Sequence, residues 1–230
     1  PSTCSSNFTL TVTVNPRPQI PNQTLSICSG NAFNLSLSNN PPSIILPSGT
    51  TYTWTVTAPA GITGASNQNT PISNIGQTLL NSTSNPINVV YNITATSGSG
   101  SSACTNNFTL TVTVNPSPAV NFSPANQTIC SEDTSAVVTL SSTTPGATFS
   151  WTATQPTGIT GVITSGTNTI PAQNLVNSTN APITITYVAV AATTGGSTCA
   201  GSTYNYTITV NPKPSITESF TEAICSGESF

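Results

Sequence analysis

The sequence predicts an all-β fold of tandem sandwiches, and three observations carry that expectation. Stretches of strict apolar–polar alternation recur along the chain, the period of strands with one face on a core. The stretch FTLTVTVNP stands at residues 8–16 and again, letter for letter, at residues 108–116, and a relative, YTITVNP, closes at Pro212. No segment shows a convincing helical period, and Pro and Gly punctuate the chain throughout.

The repetition sets the domain plan. Asn15-Pro16, Asn115-Pro116 and Asn211-Pro212 lead into Arg17-Pro18, Ser117-Pro118 and Lys213-Pro214. Cys28, Cys130 and Cys225 each follow Ile and precede Ser, whereas Cys4, Cys104 and Cys199 each lie shortly before the repeated stretch. Between these landmarks Trp54 matches Trp151, Asn81-Ser82-Thr83 matches Asn177-Ser178-Thr179, and Tyr91 matches Tyr187. The expected boundaries are residues 1–16 for the last strand of a preceding repeat, 17–116 and 117–212 for two complete repeats, and 213–230 for the start of a following one. The chain reads as a window on a longer array.

Within the first repeat the pattern places strands near 19–27, 32–38, 51–58, 61–66, 76–81, 87–96 and 104–114. Phe108, Leu110, Val112 and Val114 alternate with threonines, as do Tyr52, Trp54, Val56 and Ala58, and Ile87, Val89, Tyr91, Ile93 and Ala95 form a third row. Thr suits the outer face, since its branched Cβ favours extended backbone while its hydroxyl stays in water. Trp54, Tyr91, Trp151 and Tyr187 are expected in the cores, which takes precedence over any sugar-stacking role for the tryptophans. Seven short strands in about a hundred residues describe a seven-stranded immunoglobulin-like sandwich. Asn-Pro then ends the last strand, because Pro cannot donate to a ladder, and Pro-x-Pro keeps the linker extended and stiff.

Composition narrows the function classes. Of 230 residues, two are Lys or Arg and five are Asp or Glu, and residues 18–116 contain none of the four. Ser, Thr and Asn fill 101 positions, so uncharged hydrogen-bonding groups face the solvent. A net charge of −3 gives no basic patch for nucleic acid, and no apolar run approaches the length of a membrane span. Six cysteines in register, without any His or CxxC pair, indicate disulfides rather than zinc. Disulfides imply an oxidising, extracellular setting.

The order ICSGNAFNL, YTWTVTAPAGITG, IGQTLLNST, INVVYNITA and CTNNFTLTVTVNPSP resembles the PKD-like, Ig-like tandem repeats of large Bacteroidota surface proteins, across both complete repeats and both flanking pieces. The resemblance implies a structural or adhesive role in a long array, exported by the type IX system and associated with adhesion or gliding. The acidic clusters of calcium-binding relatives of that architecture are missing from this chain.

Two cysteine pairings are open, with free thiols as the third alternative. Within repeats, Cys28 would join Cys104 and Cys130 would join Cys199, closing loops that stabilise by roughly 4–5 kcal/mol on the chain-entropy model. In a seven-strand sandwich with alternating directions, however, those two corners lie at opposite ends, about 20–25 Å apart for seven-residue strands, whereas bridged Cα atoms lie within about 7 Å. Between repeats, Cys28 would meet Cys199 of the next domain. Cys4 and Cys225 would pair outside the window in either scheme.

Groups for catalysis are scarce. The chain has no His, and Glu132-Asp133 reads as a solvated turn, since neighbouring residues on an extended segment point oppositely. No enzyme activity, metal or cofactor is expected. Asn-x-Ser/Thr acceptors are numerous, as an Asn- and Thr-rich composition makes them by chance. A surface nearly free of charge has little electrostatic protection against association, so O-linked glycans are expected on outward Ser/Thr such as Thr53, Thr55, Thr109 and Thr111. The expected function is a stiff extracellular, cell-surface stalk or filament without catalysis. Its partners are adjacent repeats of the same chain, with other filament chains or surface glycans beyond them. Two rivals stand beside it: a glycan- or surface-binding module, and a pilus-type subunit in which residues 1–14 donate a strand.

Overall fold

The computed structural model describes residues 4–193, 198–214, 219, 221 and 223–227. Contacts divide the chain into a first unit of Pro1–Pro118, Thr143–Gly146 and Ala192–Ala200, and a second of Ala119–Ser142, Ala147–Ala191 and Gly201–Phe230. Both are β-sandwiches, and among the described residues helix is confined to one 3-10 turn at Gly100–Ser102.

The first unit contains β1 (Gln23–Cys28), β2 (Ala32–Leu35), β3 (Thr51–Val56), β4 (Ile62–Thr63), β5 (Gln68–Ile72), β6 (Ile75–Thr78), β7 (Leu80–Asn81), β8 (Ile87–Ser97) and β9 (Cys104–Asn115). One sheet has the order β1-β9-β8-β3-β5, and the other layer is built from the pairs β2-β6 and β4-β7. A long hairpin, β8 with β9, runs from Ile87 opposite Val114 to Ser97 opposite Cys104. β1 lies on the other side of β9 and is parallel to it, with Gln23 opposite Leu110 and Cys28 opposite Asn115.

Period-two patterning builds the core. Phe108, Leu110, Val112 and Val114 point inward from β9, and Val89, Tyr91, Ile93 and Ala95 do so from β8, all buried. Each fully buried aliphatic or aromatic side chain contributes roughly 1.5–3 kcal/mol relative to exposure. Trp54 is buried and its indole N–H donates to the Ser66 carbonyl at 3.0 Å. Tyr91 is buried beside it, ring centroids 6.5 Å apart, and its hydroxyl donates to Gln77 Oε1 at 2.9 Å. Burial holds the Tyr91 phenol un-ionised, pushing its pKa up to about 12.

The second unit repeats the plan with β10 (Asn121–Ser123), β11 (Gln127–Cys130), β12 (Val138–Ser141), β13 (Ala147–Ala153), β14 (Ile159–Thr160), β15 (Ser165–Thr167), β16 (Thr169–Ile170), β17 (Val176–Asn177), β18 (Ile183–Thr193) and β19 (Ala200–Asn211). The order β11-β19-β18-β13-β15 mirrors that of the first unit, and the second layer is β10-β12-β16 with β14-β17. Trp151 and Tyr187 are buried, 5.7 Å apart, with their polar atoms bonded to the Thr169 carbonyl and Gln173 Oε1.

Several strand expectations are corrected. Gln68–Ile72 forms β5, which polar residues and Pro71 hid; it lies at the sheet edge, where a missing N–H is tolerated. The expected strand at 61–66 shortens to Ile62–Thr63, because Gly64 turns the chain at φ +91° and a Cβ there would collide with the Thr78 carbonyl. The expected strand at 76–81 is two strands flanking buried Leu79. Ala58 is exposed rather than inward, since β3 stops at Val56 ahead of Pro59. Half of the residues expected to start a following repeat, 213–230, fall outside the described residues.

Candidate functional site

Three local structures concentrate whatever chemistry the chain has, and the first is the turn after β1. Ser29 N–H donates to the Asn115 carbonyl at 2.8 Å, Gly30 N–H to the Leu79 carbonyl at 2.8 Å, and Asn31 N–H back to the Cys28 carbonyl at 3.0 Å. Gly30 has φ +85°, which a residue without Cβ adopts at no steric cost. The turn presents Cys28 at the tip of its strand, bonded to Cys199 with Cα atoms 5.4 Å apart.

Of the two pairings left open by the sequence, the structure therefore forms Cys28–Cys199, and neither Cys28–Cys104 nor Cys130–Cys199 occurs. Register explains why. Cys28 stands opposite Asn115, the last residue of β9, whereas Cys104 is the first. Those ends are eleven residues apart, about 36 Å of extended strand. Cys130 stands opposite Asn211 at the end of β19, and Cys199 precedes its start by one residue, so twelve residues, about 40 Å of extended strand, separate them. Cys4, Cys104, Cys130 and Cys225 carry no disulfide.

Asn81 and Asn177, the recurring Asn-Ser-Thr positions, form the second local structure. The Asn81 amide is buried, donating to the Asn85 and Val114 carbonyls at 2.8 and 2.9 Å while its oxygen accepts from Thr83 N–H and hydroxyl at 2.9 and 2.8 Å. Asn177 repeats every bond, with Ala181, Val210 and Thr179 as partners. Both are sequons whose amides are fully engaged inside the fold, so neither nitrogen is open to a glycan. Sequence reasoning used the triplet only as a landmark; its recurrence at equal spacing was the signal of this latch.

The third is a cleft of about 530 Å³ on the outer face of the first unit's five-stranded sheet. Thr53, Thr55, Asn92, Thr94, Asn107 and Thr109 line it with amides and hydroxyls and no charge. Thr55 is exposed, while Thr53 and Thr109, like Thr111 outside the cleft, are half-buried on the face away from the core. Trp54 meets the cleft only from beneath, since 3% exposure and an engaged indole N–H leave no stacking face.

The acidic pair is occupied structurally. Asp133 Oδ2 accepts from Cys130 N–H at 3.2 Å, and Glu132, at φ +74°, forms an exposed ion pair with Lys213. The pairing raises the Lys213 pKa, first through the hydrogen bond and then through the charge of Glu132. Among the described residues no three His, Cys, Asp or Glu side chains converge as metal ligands.

The molecule so defined is a tandem β-sandwich repeat protein whose conserved-in-sequence features between its two repeats are structural turns and latches. The chain belongs to the PKD-like domain family, whose pattern matches residues 25–118 and 127–214. No curated protein matches it. Solved structures align with the chain at low identity and low TM-score. They include titin domains I67–I69, at 10% identity and TM-score 0.34, covering 86% of this chain and 64% of that one. Another is a SusE-like surface-located polysaccharide-binding protein of the Bacteroides thetaiotaomicron heparin utilisation locus, at 10% identity and TM-score 0.33, covering 83% and 32%. The fibronectin(III)-like modules of Clostridium thermocellum CbhA match at 11% identity and TM-score 0.28, covering 84% and 91%. The chain thus spans less than two thirds of the first two of these. No described helix is long and apolar enough to cross a membrane.

Proposed function

We propose that the chain serves as a load-bearing part of an extracellular stalk, a structural and adhesive element without catalysis. The observation that carries this reading is the parallel pairing of β1 with β9. The first unit is entered through β1 and left through β9. Once the Cys28–Cys199 bond is open, pulling on both draws two parallel neighbours in opposite directions, which loads their hydrogen bonds together rather than one at a time. A second support is the fate of the duplicated stretch. Phe108, Leu110, Val112 and Val114 are at most 4% exposed, whereas their counterparts Phe8, Leu10, Val12 and Val14 are 70–90% exposed. An apolar row of this kind suits the last-strand position of another sandwich, which a tandem array supplies and which a strand-donating subunit would also fill.

The resemblance to Bacteroidota surface repeats extends the reading to a cell-surface filament or adhesin exported by the type IX route, with O-linked glycans on outward threonines such as Thr55. Stretching single molecules of a Cys28→Ser variant tests the mechanical core of it. Two abrupt unfolding events are expected, each releasing about 30 nm from some ninety residues of extended chain. Smooth extension without such events would overturn the reading.

A second reading, glycan binding, is favoured by the uncharged amide- and hydroxyl-lined cleft, whose volume falls in the range of small-ligand sites. A glycan array probed with the chain and with Asn92→Ala separates the two: a passive stalk binds nothing, and a lectin loses its signal in the variant.

A further inference from the structure

We infer that the Cys28–Cys199 bond is one step of a running register, in which the first cysteine of each repeat is joined to the last cysteine of the repeat after it. Cys130 is then a disulfide site for the last cysteine of a following repeat, and Cys104 for the first cysteine of a preceding one. The inference rests on the tandem-array reading and adds to it a specific covalent partner for each thiol.

The turn that carries Cys130 is built bond for bond like the turn that carries Cys28. Ser131 N–H donates to the Asn211 carbonyl at 2.8 Å, Glu132 N–H to the Leu175 carbonyl at 2.8 Å and Asp133 N–H to the Cys130 carbonyl at 3.1 Å, matching Ser29, Gly30 and Asn31 in partner and length. Ser131 Oγ accepts from Asn177 N–H at 2.9 Å as Ser29 Oγ accepts from Asn81 N–H at 2.9 Å. Glu132 takes the left-handed conformation of Gly30, φ +74° against +85°, although it carries a side chain for which that conformation is uncommon. Cys130 stands opposite Asn211 as Cys28 stands opposite Asn115. The backbone therefore aims both thiols the same way, and Cys130 is exposed.

An independent observation comes from Cys104. Its Sγ lies 3.6 Å from the Asn15 carbonyl, and Asn15 Nδ2 donates to the Ser102 carbonyl at 3.1 Å. Asn15 is the sequence counterpart of Asn115, the residue that stands beside Cys28. The thiol of Cys104 thus already lies at the place where the Cys28 counterpart of a preceding repeat would stand. Cys199, its own counterpart, is the residue that bonds Cys28. One rule accounts for the bonded pair and assigns an external partner to Cys4, Cys104, Cys130 and Cys225.

Bond formation is a two-electron oxidation. Two thiols lose two protons and two electrons, and a small-molecule disulfide such as oxidised glutathione takes them up and leaves as two thiols.

The chain lengthened after Pro212 by a second copy of residues 117–212 tests the rule, with the copy carrying Val137→Ile and Ser202→Ala so that each of its two cysteine peptides has its own mass; the cysteine ahead of the new alanine is the marked cysteine. After refolding with reduced and oxidised glutathione, free thiols are alkylated and the cross-linked peptides are mapped without reduction. Cys28–Cys199 and a bond from Cys130 to the marked cysteine are expected together, with Cys104 alkylated. Replacing Cys130 with Ser should return the marked cysteine to the alkylated pool. Cys130 left alkylated, Cys130 bonded to Cys104, or Cys28 bonded to the marked cysteine would each overturn the register, as would failure of Cys28–Cys199 to form. Because this readout is connectivity, it can fail while the unfolding events of the stretching experiment persist, and the reverse.

Discussion

Replacing Asn177 with alanine removes a side chain that makes four hydrogen bonds from inside the second unit. Two carbonyls, of Ala181 and Val210, lose their amide donor, and the N–H and hydroxyl of Thr179 lose their acceptor. The bond to Val210 is buried, so no water replaces it readily, and an orphaned buried acceptor costs about 1–3 kcal/mol. The remaining three lie nearer solvent and are worth roughly 0.5 kcal/mol each at the low end of the usual range. The expected loss is about 2.5–4.5 kcal/mol. Urea titration followed by tryptophan fluorescence measures it in a Trp54→Phe background, where Trp151 reports on the second unit alone. With a slope of about 1 kcal/mol per molar urea, the midpoint should fall by about 2.5–4.5 M. Asn177→Asp should be worse than alanine, since it keeps the acceptor but turns a carboxylate toward two carbonyl oxygens. A midpoint change below about 0.5 M for alanine, or an aspartate variant as stable as wild type, would refute the latch.

Alkaline stability follows from the buried phenols. Tyr91 titrates at about 12 when folded against 10.0 when unfolded, so the stability it carries is whole below pH 10 and is lost as pH rises from 10 to 12. Tyr52, Tyr187 and Tyr206 are raised in the same direction by burial. Denaturant midpoints measured from pH 8 to 12 should therefore decline only above pH 10, and a decline complete by pH 9 would contradict this. Reduction of Cys28–Cys199 opens a 171-residue separation, with a chain-entropy contribution of about 5 kcal/mol as an upper figure; dithiothreitol should lower the unfolding temperature while the β circular dichroism at 25 °C persists. Gly161 has φ +87° and a Cβ there would strike the Asn174 carbonyl, so Gly161→Ala should cost more than the ~1 kcal/mol of a backbone-entropy effect, read by the same fluorescence titration.

What the residues disclosed follows from which interactions are local. The rows ending in Val114 and Ala95 announce their strands because alternation is written in the residues themselves, and the two tryptophans lie where that alternation puts them. β5 escaped because an edge strand needs neither an apolar row nor every N–H, and QNTPI offers little of either. The parallel seat of β1 against β9 is a long-range pairing with no local signature. The choice between the two cysteine pairings turned on that same register: once Cys28 is fixed opposite Asn115, Cys104 is out of reach. The latch at Asn81 and Asn177 was present as a recurring triplet, but its hydrogen-bond partners lie up to 33 residues away, where no motif records them.

The bond between Cys28 and Cys199 also decides where tension travels. Force applied beyond both cysteines crosses from one sulfur to the other and leaves the intervening 171-residue span slack. Under oxidising conditions the strands from β2 to β18 are thereby removed from the line of pull, and extension is limited to the short lengths outside the pair. In this chain, where Cys28–Cys199 is the bond formed, its reduction restores those strands to that line and releases a stored length of some tens of nanometres, turning an inextensible tether into a shock-absorbing one.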